Sequence, residues 1–441
     1  MRFKILFTTI VLLSVFTNFY NLEKRHGFGW DQERDAEIVY NQIIKNHKLT
    51  LIGPRVVNIN GFFLSPLHYY LAIPFYLLTH GDPLAGPLMA GTLGVLTTIC
   101  FLLITHKLTG SKQTALIAGL FSALSPTLTF WNVMYLPPLI LLLYYCCQKI
   151  IRSEPRYIFP AFLLVTLAFH FHFLAVFLLL CLIVALVISH HHQSLPLRPV
   201  ILGLVVLVLS FFPLYLFDLR HNFLNLKLAY NFFTNNSAYP HYSIWNPFLV
   251  FLRGFNLQLL PIIFGSRYLM SFLVLGAFVF FLKGQPPSNR LFHLIWLFLP
   301  LLILSIYQGP VSEYYYLCSI TLGTLCLSQF IVHLPRLLIP PVILLLIISQ
   351  LLIVFKSEDL TGLFYKKALA HYLVNQAPDP FYNLNYSVLP GQEVGFNYLL
   401  GYYGKTPQNI PEGHLYTITI PADNENLILI KTFGDIGLAR R

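Results

Sequence analysis

Apolar residues come in long unbroken runs rather than in alternation. Ile5–Phe16, Leu84–Ile104, Thr114–Phe130, Tyr135–Cys147, Tyr157–Ile188, Val200–Leu216, Tyr268–Leu282, Leu291–Tyr307, Tyr314–Ile331 and Leu337–Phe355 are nearly free of charge. Runs of this kind predict membrane-spanning helices. The strands of a transmembrane barrel would alternate apolar and polar positions, so that architecture is excluded. Tyr157–Ile188 is too long for one span and short for two. It reads as two helices joined by a tight outer turn at His170-Phe171-His172. The expected total is about eleven spans.

Three segments depart from the pattern. Phe62–Leu78 is apolar but broken by Pro66 and Pro74, and reads as an interfacial helix, with a kinked transmembrane helix as the alternative. Phe248–Gly265 contains Arg253, Asn256 and Gln258, and reads as outer and partly re-entrant. From Lys356 onward the composition is that of a small soluble unit. There Ala368–Asn375 predicts a helix, and Leu415–Ile420 and Leu427–Thr432 predict strands.

Only 10% of the residues are charged while 56% are hydrophobic, against roughly 25% charged in an ordinary soluble domain. Disorder and a soluble globular enzyme are both excluded. The net charge of +11 would suggest nucleic acid in a soluble protein. Here the cations sit in short links, such as Lys107 and Lys112, Lys149, Arg152 and Arg156, Lys283 and Arg290, so they report topology and imply no nucleic-acid partner. Arg2 and Lys4 precede the first run, and Asn18, Phe19 and Tyr20 offer no small-residue cleavage site. The first helix is therefore expected to stay uncleaved with its N-terminus in the cytoplasm. All six cysteines (Cys100, Cys146, Cys147, Cys181, Cys318, Cys326) lie in apolar runs without metal-ligand spacing.

The expected fold class is an all-α polytopic membrane protein over residues 1–355, with outer loops 21–83 and 217–267. A small extracytoplasmic α/β domain follows over 356–441. The expected location is the inner or plasma membrane. Acidic and histidine residues then concentrate outside.

The densest charge cluster is Trp30-Asp31-Gln32-Glu33-Arg34-Asp35-Ala36-Glu37. Ala36, Val39, Tyr40 and Ile43 recur at helical spacing, which puts Asp31 and Asp35 on one face with Arg34 a turn from Asp31. Two readings stand side by side: an N-capped amphipathic helix whose charges face water, or a carboxylate beside the membrane acting as a general base.

The string Asp31-x-x-Arg34-x-Ala36-Glu37 after a first transmembrane helix resembles the first-loop signature of membrane glycosyltransferases with the C-type fold. Lipid A aminoarabinose transferases and protein mannosyltransferases belong to that class. Trp30-Asp31-Gln32-x-Arg34-Asp35-Ala36 is more similar still to bacterial relatives grouped with lipopolysaccharide galacturonosyltransferases. Leu51-Ile52-Gly53-Pro54, Pro66-Leu67-His68-Tyr69-Tyr70-Leu71, Phe217-Asp218-Leu219-Arg220-His221, Tyr398-Leu399-Leu400 and Gly404-Lys405-x-Pro407 follow in the same order, so the likeness covers most of the chain. It implies a polyprenyl-phosphate sugar donor and inverting transfer on the outer face, with Asp31 as the base. One departure stands out. The aminoarabinose and mannosyl enzymes carry an acid directly after this Asp, where this chain has Gln32. Glu33 or Asp35 is then expected to supply the second negative charge.

The leaving group is a lipid phosphate, so cations at the outer face become candidates to stabilise it. Arg220 and His221 come first, then Arg55, Arg253 and Arg267, with snorkelling headgroup anchors as the alternative reading. Arg34, His68 and Tyr69 belong to the same expected substrate site. His170 and His172 are expected to hydrogen-bond sugar or acceptor rather than to form a metal pair. Glu313, before three tyrosines, is expected to line the sugar pocket or to sit in an aromatic belt. The residues call for no particular cofactor, and a requirement for a divalent cation stays open, because no ligand set is convincing. The implied partners are the polyprenyl-phosphate-linked donor, a lipid, glycan or protein acceptor, and membrane lipids. The competing readings are a multi-spanning carrier or flippase for a polyprenyl-linked substrate and a membrane scaffold. No internal repeat supports the carrier, and a scaffold has no need of the acidic loop.

Overall fold

The computed structural model describes all residues except 57–60, 128–129, 193, 235–244, 260–267, 308, 377–381, 408–413, 423–426 and 441. Each expected span contains a helix. Among the described residues, seven helical segments are long and apolar enough to cross a membrane: Arg2–Phe19, Ala85–Thr109, Asn132–Ile151, Leu197–Arg220, Pro287–Ile306, Glu313–Val332 and Ile339–Lys356. Ile158–Phe171, Ala175–His192 and Leu269–Lys283 are apolar but shorter. The chain turns between the first two of these at His172, as the run length implied. The helix expected over Thr114–Phe130 ends early, at Ala123. Pro126 lies just beyond, and proline forbids helical continuation through itself and its predecessor.

Local chemistry explains the tight connections. Ala85–Thr109 ends on Gly110, whose φ of +69° suits the left-handed position after a helix. The next residue, Ser111, accepts a bond from the backbone N–H of Thr114 and caps the following helix. The first helix is tied to its neighbours by small and polar residues. Ser14 bonds Thr98 at 2.9 Å, and Thr17 donates to the Ala123 carbonyl at 2.6 Å. A Cβ on Gly94 would stand 2.1 Å from the Asn18 amide oxygen, so a larger residue there would have to displace the Asn18 side chain.

Leu67–Leu78 is a 12-residue helix with His68, Tyr69, Ala72 and Tyr76 buried. At a rise of about 1.5 Å per residue it reaches only part of the way across a bilayer. It packs on Glu37–Lys45, which continues the first-loop helix in wider π-type turns. Trp245–Leu259 is helical, and the rest of the expected re-entrant segment lies outside the described residues, as does Arg267.

The C-terminal segment holds a helix, Leu363–Gln376, and a mixed sheet of order β1-β2-β4-β3. β1 (Tyr382–Ser387) runs parallel to β2 (His414–Thr419); β3 (Leu429–Phe433) and β4 (Ile436–Arg440) complete it antiparallel. This segment is bonded closely to the first loop. The backbone N–H groups of Asp359 and Leu363 donate to the carbonyls of Lys24 and His26. Lys367 pairs with Glu23 and Asp82. First loop and tail therefore lie on one face of the helical bundle.

Candidate active site

The loop helix Trp30–Ala36 carries the acidic cluster. Gln32 explains why an amide stands where the resembling enzymes have an acid. Its Oε1 accepts the N–H of Gly29 at 3.0 Å, closing the start of the helix, while its Nε2 donates to the Phe130 carbonyl at 2.6 Å. A carboxylate could accept the first bond but not donate the second.

The three carboxylates have three different environments. Glu33 accepts the N–H of Gly395 at 2.7 Å and of Tyr398 at 2.9 Å, so it caps the tail helix Phe396–Tyr402. Gly395 has φ +94°, and a Cβ there would meet the Phe28 carbonyl oxygen at 2.4 Å. Lys366 closes the same joint by donating to the carbonyls of Phe28 and Val394. Burial lowers its ammonium to about 8, against the raising influence of Glu33 and Asp359.

Asp35 has no exposed side-chain surface. Its Oδ1 accepts from Arg34 Nε at 2.9 Å and from a terminal nitrogen at 2.7 Å, and its Oδ2 lies 2.8 Å from His68 Nε2. Burial alone would raise its pKa, but the adjacent Arg34 and His68 outweigh it and hold the carboxyl below the usual range. Asp31 is open, with 39% of its side chain exposed. Arg34 donates its other terminal nitrogen to Asp31 Oδ1 at 2.7 Å. No described group donates to Oδ2.

The expectation that Glu33 or Asp35 supplies a second reacting charge meets a physical obstacle, since one is held by tail amides and the other is sealed. His68 and Tyr69 are likewise buried, with 0% and 1% of their surface exposed. Arg34, half-buried between two carboxylates, is a clamp rather than an open donor.

Beside Asp31 stands an aromatic wall. Trp131 packs edge-on to Tyr314 at 4.6 Å between ring centres, and Tyr314 lies within electrostatic reach of Asp31. Both rings line a cavity of about 360 Å³. Its other walls are apolar and polar side chains, including Phe101, Thr127, Leu317, Gln350 and Val354. His172 is buried with its ring edge toward Tyr314, and its Nδ1 accepts from Leu174. His170 stacks instead on Phe211, so the two histidines diverge. Glu313 pairs with Arg253 at 3.3 Å. Among the described residues no three His, Cys, Asp or Glu side chains gather to hold a metal ion.

The other candidate cations share a second patch. Arg55 lies over the Phe63 ring at 4.7 Å, Phe63 packs on Phe217 at 5.9 Å, and Phe217 stacks with His221 at 4.1 Å. Asp218 and Asn225 organise it. Asp218 accepts the Asn225 N–H, and Asn225 bonds the N–H and carbonyl of Phe63. Arg220 is exposed at the end of its helix. The rings of Phe62, Phe232, Phe173, Tyr315 and Tyr314 link this basic patch to the wall beside Asp31. Neither the role of Asn225 nor that of Gln32 is visible in spacing, because their partners lie 162 and 98 residues away.

The chain matches no protein-family model and no curated protein sequence. Its fold is found among solved membrane proteins. The structure of ArnT from Cupriavidus metallidurans in the apo state aligns at a TM-score of 0.65 with 13% identity, covering 99% of this chain and 97% of that one. ArnT bound to undecaprenyl phosphate aligns at 0.65 with 12% identity over the same shares. The chain thus has the ArnT fold, the fold class that its sequence resemblance implied.

Proposed function

We propose that the chain is an integral-membrane inverting glycosyltransferase. It moves a sugar from a polyprenyl-phosphate donor to an extracytoplasmic lipid, glycan or protein, with Asp31 as general base. The carrying observation is that Asp31 alone of the three central loop carboxylates keeps an oxygen open, within electrostatic reach of Tyr314, which lines the cavity. The ArnT fold, including a structure holding undecaprenyl phosphate, supports the donor class.

In this reading isoprenoid units enter the cavity below Trp131 and Tyr314. Asp31 Oδ2 takes the proton of an acceptor hydroxyl. That oxygen bonds to the sugar's anomeric carbon as the bond to phosphate breaks on the opposite face, so configuration inverts. The product is the glycosylated acceptor, and polyprenyl phosphate leaves with the bond's electron pair. Arg55, Arg220 and His221 receive that charge. Purified protein supplied with polyprenyl-phosphate sugar and envelope extract should release polyprenyl phosphate. Arg220→Ala should raise the barrier by roughly 2–4 kcal/mol without reducing the amount of folded protein. Wild-type turnover would return Arg220 to the role of headgroup anchor.

The Lys/Arg bias of the short links puts the N-terminus inside and the shared face of first loop and tail outside. In a cysteine-free background, a cysteine replacing Lys405 should react with an impermeant reagent in intact cells, and one replacing Lys107 only after lysis. The opposite pattern would invert the topology and remove the extracytoplasmic acceptor.

A further inference from the structure

Behind the open carboxylate lies a buried row of polar groups that the mechanism above does not use. His68 sits at the start of the helix Leu67–Leu78, with no exposed surface. Asp35 is a carboxylate that accepts, so the proton facing it belongs to His68 Nε2, 2.8 Å from Oδ2. The other ring nitrogen, Nδ1, is 3.3 Å from the Tyr135 hydroxyl, whose own hydrogen is directed to Met89 Sδ at 3.8 Å. Tyr135 is itself held flat against Phe171, with ring centres 3.9 Å apart at 10°. Phe130 and Tyr69 pack around the imidazole. The ring is thereby held in one orientation.

The consequence appears at Arg34. Because His68 occupies Oδ2 of Asp35, a single oxygen, Oδ1, receives both Nε and one terminal nitrogen of Arg34. The remaining terminal nitrogen is left aimed at Asp31 Oδ1. Without His68, the Asp35 carboxylate is free to turn and meet the guanidinium with both oxygens, the preferred fork geometry. The tilt of Arg34, and with it the hold on Asp31, then changes. We infer that His68 is a positioning residue that aligns the base Asp31 through Asp35 and Arg34. This role rests on the glycosyltransferase reading and differs from contact with substrate.

The test is a mutant cycle on purified full-length protein with a polyprenyl-phosphate sugar as donor. His68→Leu should lower kcat by about 10- to 100-fold with donor KM little changed, because misalignment of a reacting group acts on the barrier. His68→Gln, whose amide N–H can reach the place of Nε2, should restore most of the rate. In the Asp31→Asn background His68→Leu should add no further loss, as expected of residues acting as one unit. A raised KM with normal kcat would overturn the inference in favour of substrate contact. A loss that adds fully to that of Asp31→Asn would overturn it in favour of an independent role. Should His68→Leu fail to fold, Tyr135→Phe replaces it: lowered kcat that vanishes in the Asp31→Asn background supports the inference, and unchanged kcat overturns it. Asp31→Asn at full speed would instead sink the base assignment itself, so the two failures are distinguishable.

Discussion

Asp31→Asn is expected to fold, insert and bind donor lipid, yet to transfer sugar at least ~100-fold more slowly, a barrier increase of about 3 kcal/mol. The substitution keeps size and shape. The amide oxygen of Asn can still accept the Arg34 bond that Asp31 Oδ1 accepts at 2.7 Å. What disappears is the charge and the ability to take a proton at Oδ2. The site is open to solvent, so little stability should be lost with the exchange. If the charges of this helix merely face water, the same substitution should leave turnover unchanged. Steady-state transfer by purified protein, with melting temperature as a control, separates the two.

Four residues along the same helix, Asp35→Ala should have the opposite signature. Its carboxylate is sealed and serves two cationic or donor partners, Arg34 and His68. Removing it leaves the mostly buried guanidinium with the exposed Asp31 as its one remaining carboxylate among the described residues. Breaking a buried pair in this way costs about 3–5 kcal/mol, enough to lower the melting temperature sharply or prevent accumulation. The pH dependence follows from the same partners. The folded carboxyl is held below its unfolded value. Its contribution is therefore fully present above the unfolded pKa of about 3.9, and is lost as pH falls through the lower folded value. Wild-type protein should lose stability below about pH 4 in part through this group, and Asp35→Asn should show a shallower acid limb. An Asp35→Ala protein as stable as wild type would contradict the clamp.

The helices and the location of the charged cluster are legible in the chain because both are local. An unbroken apolar run has no other stable solution in lipid, although its exact end depends on details such as Pro126, which stops the helix expected over Thr114–Phe130 at Ala123. The two-helix reading of Tyr157–Ile188 needed only length. The division of labour within Asp31–Asp35 is not legible, because it is decided by distant partners. Glu33 meets amides 362 and 365 residues away, and Asp35 meets His68 from another helix. Sequence spacing puts Asp31 and Asp35 on one face but does not reveal which of them the neighbouring helix will seal. The tail follows the same rule. The composition change at Lys356 and two of the strands are local signals. The capping of Phe396–Tyr402 by Glu33, and the lysine that reaches the Phe28 carbonyl, depend on surfaces that meet only after folding. His170 and His172 look paired in sequence, yet they sit where a helix ends, so the chain turns them toward different rings.

The central claim is that a sugar leaves polyprenyl phosphate for an acceptor outside, with Asp31 taking the proton. Mass spectrometry of surface lipids and glycans addresses it most directly, comparing cells without the protein, with it, and with its Asp31→Asn form at equal membrane level. The account predicts one or more envelope species heavier by a single sugar residue only where the wild-type protein is present, with polyprenyl-phosphate sugar accumulating in the other two. Identical envelope species in all three cell types, or the added sugar appearing equally with Asp31→Asn, would contradict it.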